Sequence, residues 1–291
     1  MSGGHLNFGG IEGGCTDYNN ARVAILPVPY EGTVSYGSGT ADGPKGMISA
    51  SHYLEFYDEE LCQETSEIGL HTLPSVDCNG SPEVVMSSIR SAALSPLKDG
   101  KFLASIGGEH SITKGILDAF VESRGRDFGV LQLDAHADLR DTYHGTIHSH
   151  ACITRRIDDM GLSFVQVGIR SLSREEADFI EKKGLSPFFA HQIMKSKREE
   201  WISKVIESLP EKVYVTIDLD CLDPSIMPST GTPEPGGLGW YDVTALLKKV
   251  AEEREVVGID MVELAPIKGL HAPDFLAAKL LYRTLGYIFQ H

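Results

Sequence analysis

The sequence predicts an α/β protein of three αβα layers with a mostly parallel central sheet, and two observations carry that expectation. Short runs rich in β-branched and aromatic residues alternate with stretches of helical spacing, and most of the runs are nearly continuous in apolar character. Strand followed by helix, repeated, builds a parallel sheet, because each crossover lays a helix on the sheet and leaves the strand no solvent face.

The strand-like runs fall at 22–27, 101–106, 128–133, 163–169, 212–217 and 255–261, lengths that suit strands better than helices. Helical spacing occupies 82–97, 112–123, 174–183, 198–209 and 241–254. No linker, charge run or low-complexity tract breaks the series. The Gly/Pro-rich stretch 223–239 follows a strand as one loop, so residues 1–291 read as a single domain, with 1–20 as an N-terminal extension. In such sheets ligands bind just beyond the carboxyl ends of the strands, which is where chemistry is expected.

Composition narrows the function. An apolar fraction of 42% with 23% charged residues suits a compact chain. A formal net charge of −15 argues against nucleic acid and against an anionic membrane surface, since both need a basic patch, and leaves a small cationic ligand welcome. No apolar run approaches the roughly 18 residues that span a bilayer, and residues 1–14 lack a signal-like apolar core. The five cysteines, Cys15, Cys62, Cys78, Cys152 and Cys221, are odd in number and form no CxxC pair, which suits a reduced, cytoplasmic setting.

Three strand ends carry polar clusters: Gly107-Gly108-Glu109-His110-Ser111, Asp134-Ala135-His136-Ala137-Asp138 and Asp218-Leu219-Asp220. Residues two apart in extended chain share a side, so Asp134, His136 and Asp138 can converge, as can Asp218 and Asp220. Each cluster alone has a plain explanation: a loop histidine, an exposed strand end, an N-cap. Together they do not, because gathered carboxylates resist joint ionisation unless cations neutralise them. Four aspartates and two histidines are too many for one ion and suit two, and the oxygen-rich set favours Mn²⁺ over Zn²⁺.

These motifs resemble those of the ureohydrolase family (arginase, agmatinase and relatives), whose patterns run GGDHS, DAHxD and SxDxDxLDPxxxPGTGTPxPGG. The resemblance extends to Pro29-Tyr30-Glu31-Gly32-Thr33, Gly43-Pro44, the loop from Asp223 to Gly237 and the stretch from Asp260 to Pro266. It implies an arginase/deacetylase-like fold and two Mn²⁺ per subunit, one on His110, Asp134, Asp138 and Asp218, the other on Asp134, His136, Asp218 and Asp220. It further implies that a hydroxide held between the metals attacks a guanidinium carbon, that Asp138 relays a proton to the departing amine, and that Glu263 pairs with the guanidinium. A histidine after DAHxD shuttles protons in the family. His150 is favoured over His148 and His144, because its sequence context parallels the HGTxFRR stretch of many agmatinases.

The chain departs from the pattern at Glu109 (for Asp) and Ser229 (for Gly), and Arg140 places a cation near the mouth unless Asp141 or another acid offsets it. The activity implied is hydrolysis of agmatine to putrescine and urea. Guanidinobutyrate, aminopropylagmatine and arginine are the alternative substrates, and a single-zinc deacetylase-like amidohydrolase or a silent binding homologue the alternative classes. A homo-oligomer, trimer or hexamer, is the expected assembly by the same resemblance.

Overall fold

The structure is a computed structural model that describes residues 7–290 apart from 12, 14 and 15. In chain order the elements are β1 (Val23–Val28), α1 (Gly43–Ser51), β2 (Tyr57–Asp58), β3 (Gln63–Glu64), β4 (Leu70–Thr72), α2 (Pro82–Lys98), β5 (Phe102–Gly107), α3 (Ile112–Arg124), β6 (Gly129–Leu133), α4 (Ile153–Asp159), β7 (Phe164–Ile169), α5 (Arg174–Lys183), β8 (Phe188–Phe189), α6 (Ala190–Ile193), α7 (Arg198–Ser208), β9 (Lys212–Asp218), α8 (Trp240–Glu253), β10 (Glu255–Val262) and α9 (Ala272–Phe289). Eight strands form one sheet in the order β4-β1-β5-β10-β9-β6-β7-β8, and every pairing in it is parallel. The expected three-layer architecture is therefore the observed one.

Side chains of each strand divide between two cores, as a period of two requires. Val23 and Ile25 of β1 join Met47, Val243 and Leu281 beneath α1, α8 and α9. Ala24, Leu26 and Val28 join Ile89, Phe120 and Ile157 beneath α2, α3 and α4. Phe8 is also fully buried, with its backbone N–H donated to Thr72 Oγ1 at 2.8 Å.

All six sequence-predicted strands form, within a residue of their expected ends. The edge strands β4 and β8 are too short to show alternation. Helix α9 escapes a periodicity test because residues 277, 278 and 280–287 are all buried, leaving no polar stripe. Among the described residues Cys62, Cys78, Cys152 and Cys221 are free thiols, and Cys15 lies outside those residues. No described helix is long and apolar enough to cross a membrane.

Register sets the site. Val262 pairs with Asp218 and Leu133 with Ile217, so β6, β9 and β10 release Asp134, Asp218 and Glu263 at one level of the sheet, beside the exit of β5 at Gly107.

Candidate metal centre

Four adjacent strands deliver the polar clusters to one place. After β5, Gly108 passes beneath the Tyr30 carbonyl, which a Cβ at that position would overlap. The chain then sets His110 at the amino end of α3, with Nδ1 3.1 Å from Asp134 Oδ2, 3.3 Å from Asp218 Oδ2 and 3.5 Å from Asp138 Oδ2. After β6, His136 Nδ1 lies 2.8 Å from Asp220 Oδ2 and 3.7 Å from Asp134 Oδ1. Two ligand-like sets result, His110 with Asp134 and Asp138, and Asp134 with His136 and Asp220, the donor atoms of each lying within 4.8 Å of one another. Asp134 belongs to both.

Burial makes the electrostatics severe. Asp134, Asp138, Asp218, Asp220 and His110 are all buried, and His136 is the partly open member. In the chain by itself, burial and then Asp220 push the Asp134 carboxyl up, and burial with Asp220 and Asp134 push Asp218 well up. Burial and Asp134 carry Asp138 to about 7. Burial opposes charge on His136, yet Asp220 outweighs it and holds the imidazole up at about 11, while His136 in turn holds Asp220 down at about 2 against its own burial. Protons thus supply part of the positive charge the cluster demands, the role a divalent cation fills better.

The donor set fits metal ions. His110 Nε2 lies 2.8 Å from Thr216 Oγ1, whose own hydrogen is donated to Asp260 Oδ1 at 2.6 Å, so Thr216 accepts from Nε2–H. That turns Nδ1, which is buried, to the three carboxylates; in the chain by itself they outweigh burial and push the imidazole well up, and a cation in place of that proton would meet the Nδ1 lone pair of a neutral ring. Asp134 is oriented just as firmly. Gln132 Nε2 donates to its Oδ2 at 2.7 Å, and the Gln132 carbonyl is fixed by Thr154 Oγ1 at 2.6 Å and Gln166 Nε2 at 3.0 Å.

A cavity of about 230 Å³ opens above the cluster, lined by His136, Asp138, Arg140, Tyr143, His150 and Glu176 among others. A smaller hollow beside it is walled by Ser35, His150, Thr232 and Glu263. Glu263 accepts from the His110 backbone N–H at 2.7 Å, and burial, then the Glu109 carboxylate, carry its carboxyl up to about 8. A cationic group placed against it would reverse that shift. His148 instead lies with Nε2 3.8 Å from Glu83 Oε1, and neither it nor His144 is among the residues lining the cavity.

The departures resolve locally. Glu176 rather than Asp141 offsets Arg140: its Oε2 lies 3.9 Å from Arg140 Nε, whose guanidinium also covers the Tyr143 ring at 5.1 Å, while Asp141 pairs with Arg156 at 3.1 Å. Ser229 keeps its loop docked where β10 ends, its carbonyl accepting from Ala265 N–H at 2.8 Å. Asp223 closes the loop by accepting from Gly236 and Gly237 N–H, each at 3.0 Å. Sequence reasoning missed the supporting residues Gln132, Gln166, Thr216 and Arg170. Arg170 donates through Nη2 to the carbonyls of Asp220 at 2.6 Å and Glu234 at 2.7 Å, tying the DLD turn to the loop. The two glutamines did leave a signal, as amides inside otherwise apolar runs.

A parallel αβα sheet whose four central strands converge on a shared-carboxylate cluster is the fold and site of the arginase-type hydrolases. The Arginase family model matches residues 21–286, and the chain belongs to that family as a ureohydrolase. It is 39% identical over 279 residues to the N(1)-aminopropylagmatine ureohydrolase of Synechocystis sp., covering 94% of this chain and 90% of that protein. The enzyme of the same name from Thermus thermophilus is 40% identical over 272 residues, covering 93% and 92%. Among solved structures, the agmatine ureohydrolase of Thermoplasma volcanium superposes with a TM-score of 0.83 at 30% identity, covering 94% of this chain and 92% of that one.

Proposed function

We propose that this ureohydrolase hydrolyses a guanidino compound with a cationic polyamine tail, N(1)-aminopropylagmatine before agmatine, using two Mn²⁺ ions per subunit. The observation that carries the reading is the pair of ligand sets sharing Asp134 beneath the cavity. The order of substrates follows the 39–40% identical relatives, which bear the aminopropylagmatine name, and agmatine is the second reading because the Thermoplasma relative acts on it.

In this reading His110, Asp134, Asp138 and Asp218 hold one ion and Asp134, His136, Asp218 and Asp220 the other. When bound, the ions supply the positive charge the carboxylates require and the Lewis acidity that makes water nucleophilic near neutral pH. The chain's own residues do the rest. Glu263 holds the planar guanidinium through a carboxylate oxygen, orienting its carbon over the cluster. Asp138 takes a proton and returns it to the nitrogen of the departing amine. His150, on the cavity wall, exchanges protons with solvent. The offset of Arg140 by Glu176 keeps the mouth open to a cationic tail.

Release of urea is the decisive assay. Mn²⁺-loaded protein is expected to liberate it fastest from aminopropylagmatine, more slowly from agmatine, and not from arginine or guanidinobutyrate. No urea from any of the four would end the proposal, and one zinc per subunit in active protein would end its two-ion form. The single domain with an N-terminal extension, the cytoplasmic setting and a homo-oligomeric trimer or hexamer belong to the same proposal, and sedimentation velocity tests the last.

A further inference from the structure

The carboxylate of Glu109 lies outside both ligand sets, yet it is fully buried and accepts four hydrogen bonds: Gly32 N–H at 2.7 Å and Thr33 N–H at 2.6 Å on Oε2, Thr33 Oγ1–H at 2.6 Å and Ser111 Oγ–H at 2.5 Å on Oε1. Both oxygens are filled by donors, an arrangement that suits a carboxylate. Thr33 has one hydroxyl hydrogen, and Glu109 takes it. Thr33 Oγ1 is therefore an acceptor toward its two other neighbours, the His150 backbone N–H at 3.1 Å and His150 Nδ1 at 3.1 Å. An acceptor facing Nδ1 requires the proton there. Nε2 is left with its lone pair, 3.5 Å from Ser35 Oγ on the cavity side.

We propose that Glu109 and Thr33 are positioning residues that fix the tautomer and aim of His150, so that Nε2 is the nitrogen that exchanges protons in the cavity. The inference rests on the reading of His150 as the proton-exchanging group. It gives a reason for glutamate where the family pattern has aspartate, since the longer side chain spans from the strand end to the loop at 32–33. The device parallels Asp260–Thr216–His110, in which a buried carboxylate also acts on an imidazole through one threonine hydroxyl. The two relays protect opposite nitrogens. At His110 the threonine occupies Nε2 and turns Nδ1 to the carboxylates, and at His150 it occupies Nδ1 and turns Nε2 to the cavity.

The test is ¹⁵N NMR of histidine-labelled enzyme loaded with diamagnetic Zn²⁺, with His150→Ala identifying the resonance pair. The expected result at neutral pH is a protonated-type Nδ1 and an unprotonated-type Nε2 for His150. Thr33→Val is expected to abolish that preference and lower kcat about a hundredfold with KM little changed, Thr33→Ser to restore both, and Glu109→Asp to fall between. A wild-type His150 protonated on Nε2, or a Thr33→Val variant with the wild-type spectrum, overturns the proposal. The spectrum judges the relay independently of activity. An undiminished kcat in His150→Ala would remove the proton-exchange reading alone.

Discussion

His110 presents Nδ1 to three carboxylates because its other nitrogen, Nε2, is committed to Thr216 Oγ1 at 2.8 Å. Thr216 is committed in turn to Asp260, which also accepts from Tyr214 Oη at 2.7 Å. Removing the hydroxyl releases the ring to rotate Nδ1 away from the carboxylates. Thr216→Val is expected to weaken Mn²⁺ binding about 10- to 100-fold, read by competition against a chromophoric chelator. Wild-type affinity in that variant would show that the threonine merely fills space.

Asp134 belongs to both of the close-set groups, and in the two-ion assignment it is shared between the ions together with Asp218. Asp134→Ala is expected to abolish urea release and to leave the purified protein without its full metal complement by elemental analysis. Asp218→Ala should do the same, since its carboxylate faces His110 at 3.3 Å. Full activity in either would refute the two-ion assignment.

Glu263 touches the site from the β10 side and, among the described residues, accepts one hydrogen bond, from the His110 N–H, which leaves acceptor capacity for substrate. Glu263→Gln is expected to raise KM at least tenfold with metal content unchanged, since the variant loses a charge-assisted contact to a cation. An unaltered KM would move guanidinium binding elsewhere.

Away from the site, Asp58 and Arg283 form a buried ion pair, Arg283 Nε donating to Asp58 Oδ2 at 2.8 Å, that pins α9 to the β2–β3 ribbon. Burial raises the Asp58 carboxyl, but Arg283 and the N–H groups of Leu61 and Glu60 outweigh it and hold it below its ordinary value. A depressed carboxyl stabilises the fold above its unfolded-state value, about 4, and that contribution disappears as pH falls through the lower folded value. Asp58→Asn is expected to cost about 3 kcal/mol at pH 7 by urea denaturation, and the gap to wild type to narrow below about pH 4. A gap independent of pH would show that the charge on Asp58 is not what is lost.

Much of the candidate site was legible in the sequence, because its candidate ligands sit two residues apart at strand ends, where extended geometry forces them to one side. The six metal-ligand candidates form one cluster, with His136, Asp138 and His150 lining the cavity and Glu263 the smaller hollow that shares His150. What could not be read is the support, which is three-dimensional. Glu109 meets Thr33 across 76 positions and His110 meets Thr216 across 106, and no local pattern encodes such partners. The acid that offsets Arg140 was open for a similar reason: Glu176 is the capping-box residue of α5, a role that by itself explains a glutamate there.

Asp138 and Glu263 adopt left-handed backbone angles, φ 52° and 68°, two of four such non-glycine residues among those described. The scaffold holds these two carboxylates against their local conformational preference, a tension of about 1 kcal/mol or more apiece. Glycine at either position would relax it, so, under the roles proposed for these carboxylates, a search for heat-resistant variants would be drawn to the two places where gains in robustness are taken directly out of turnover.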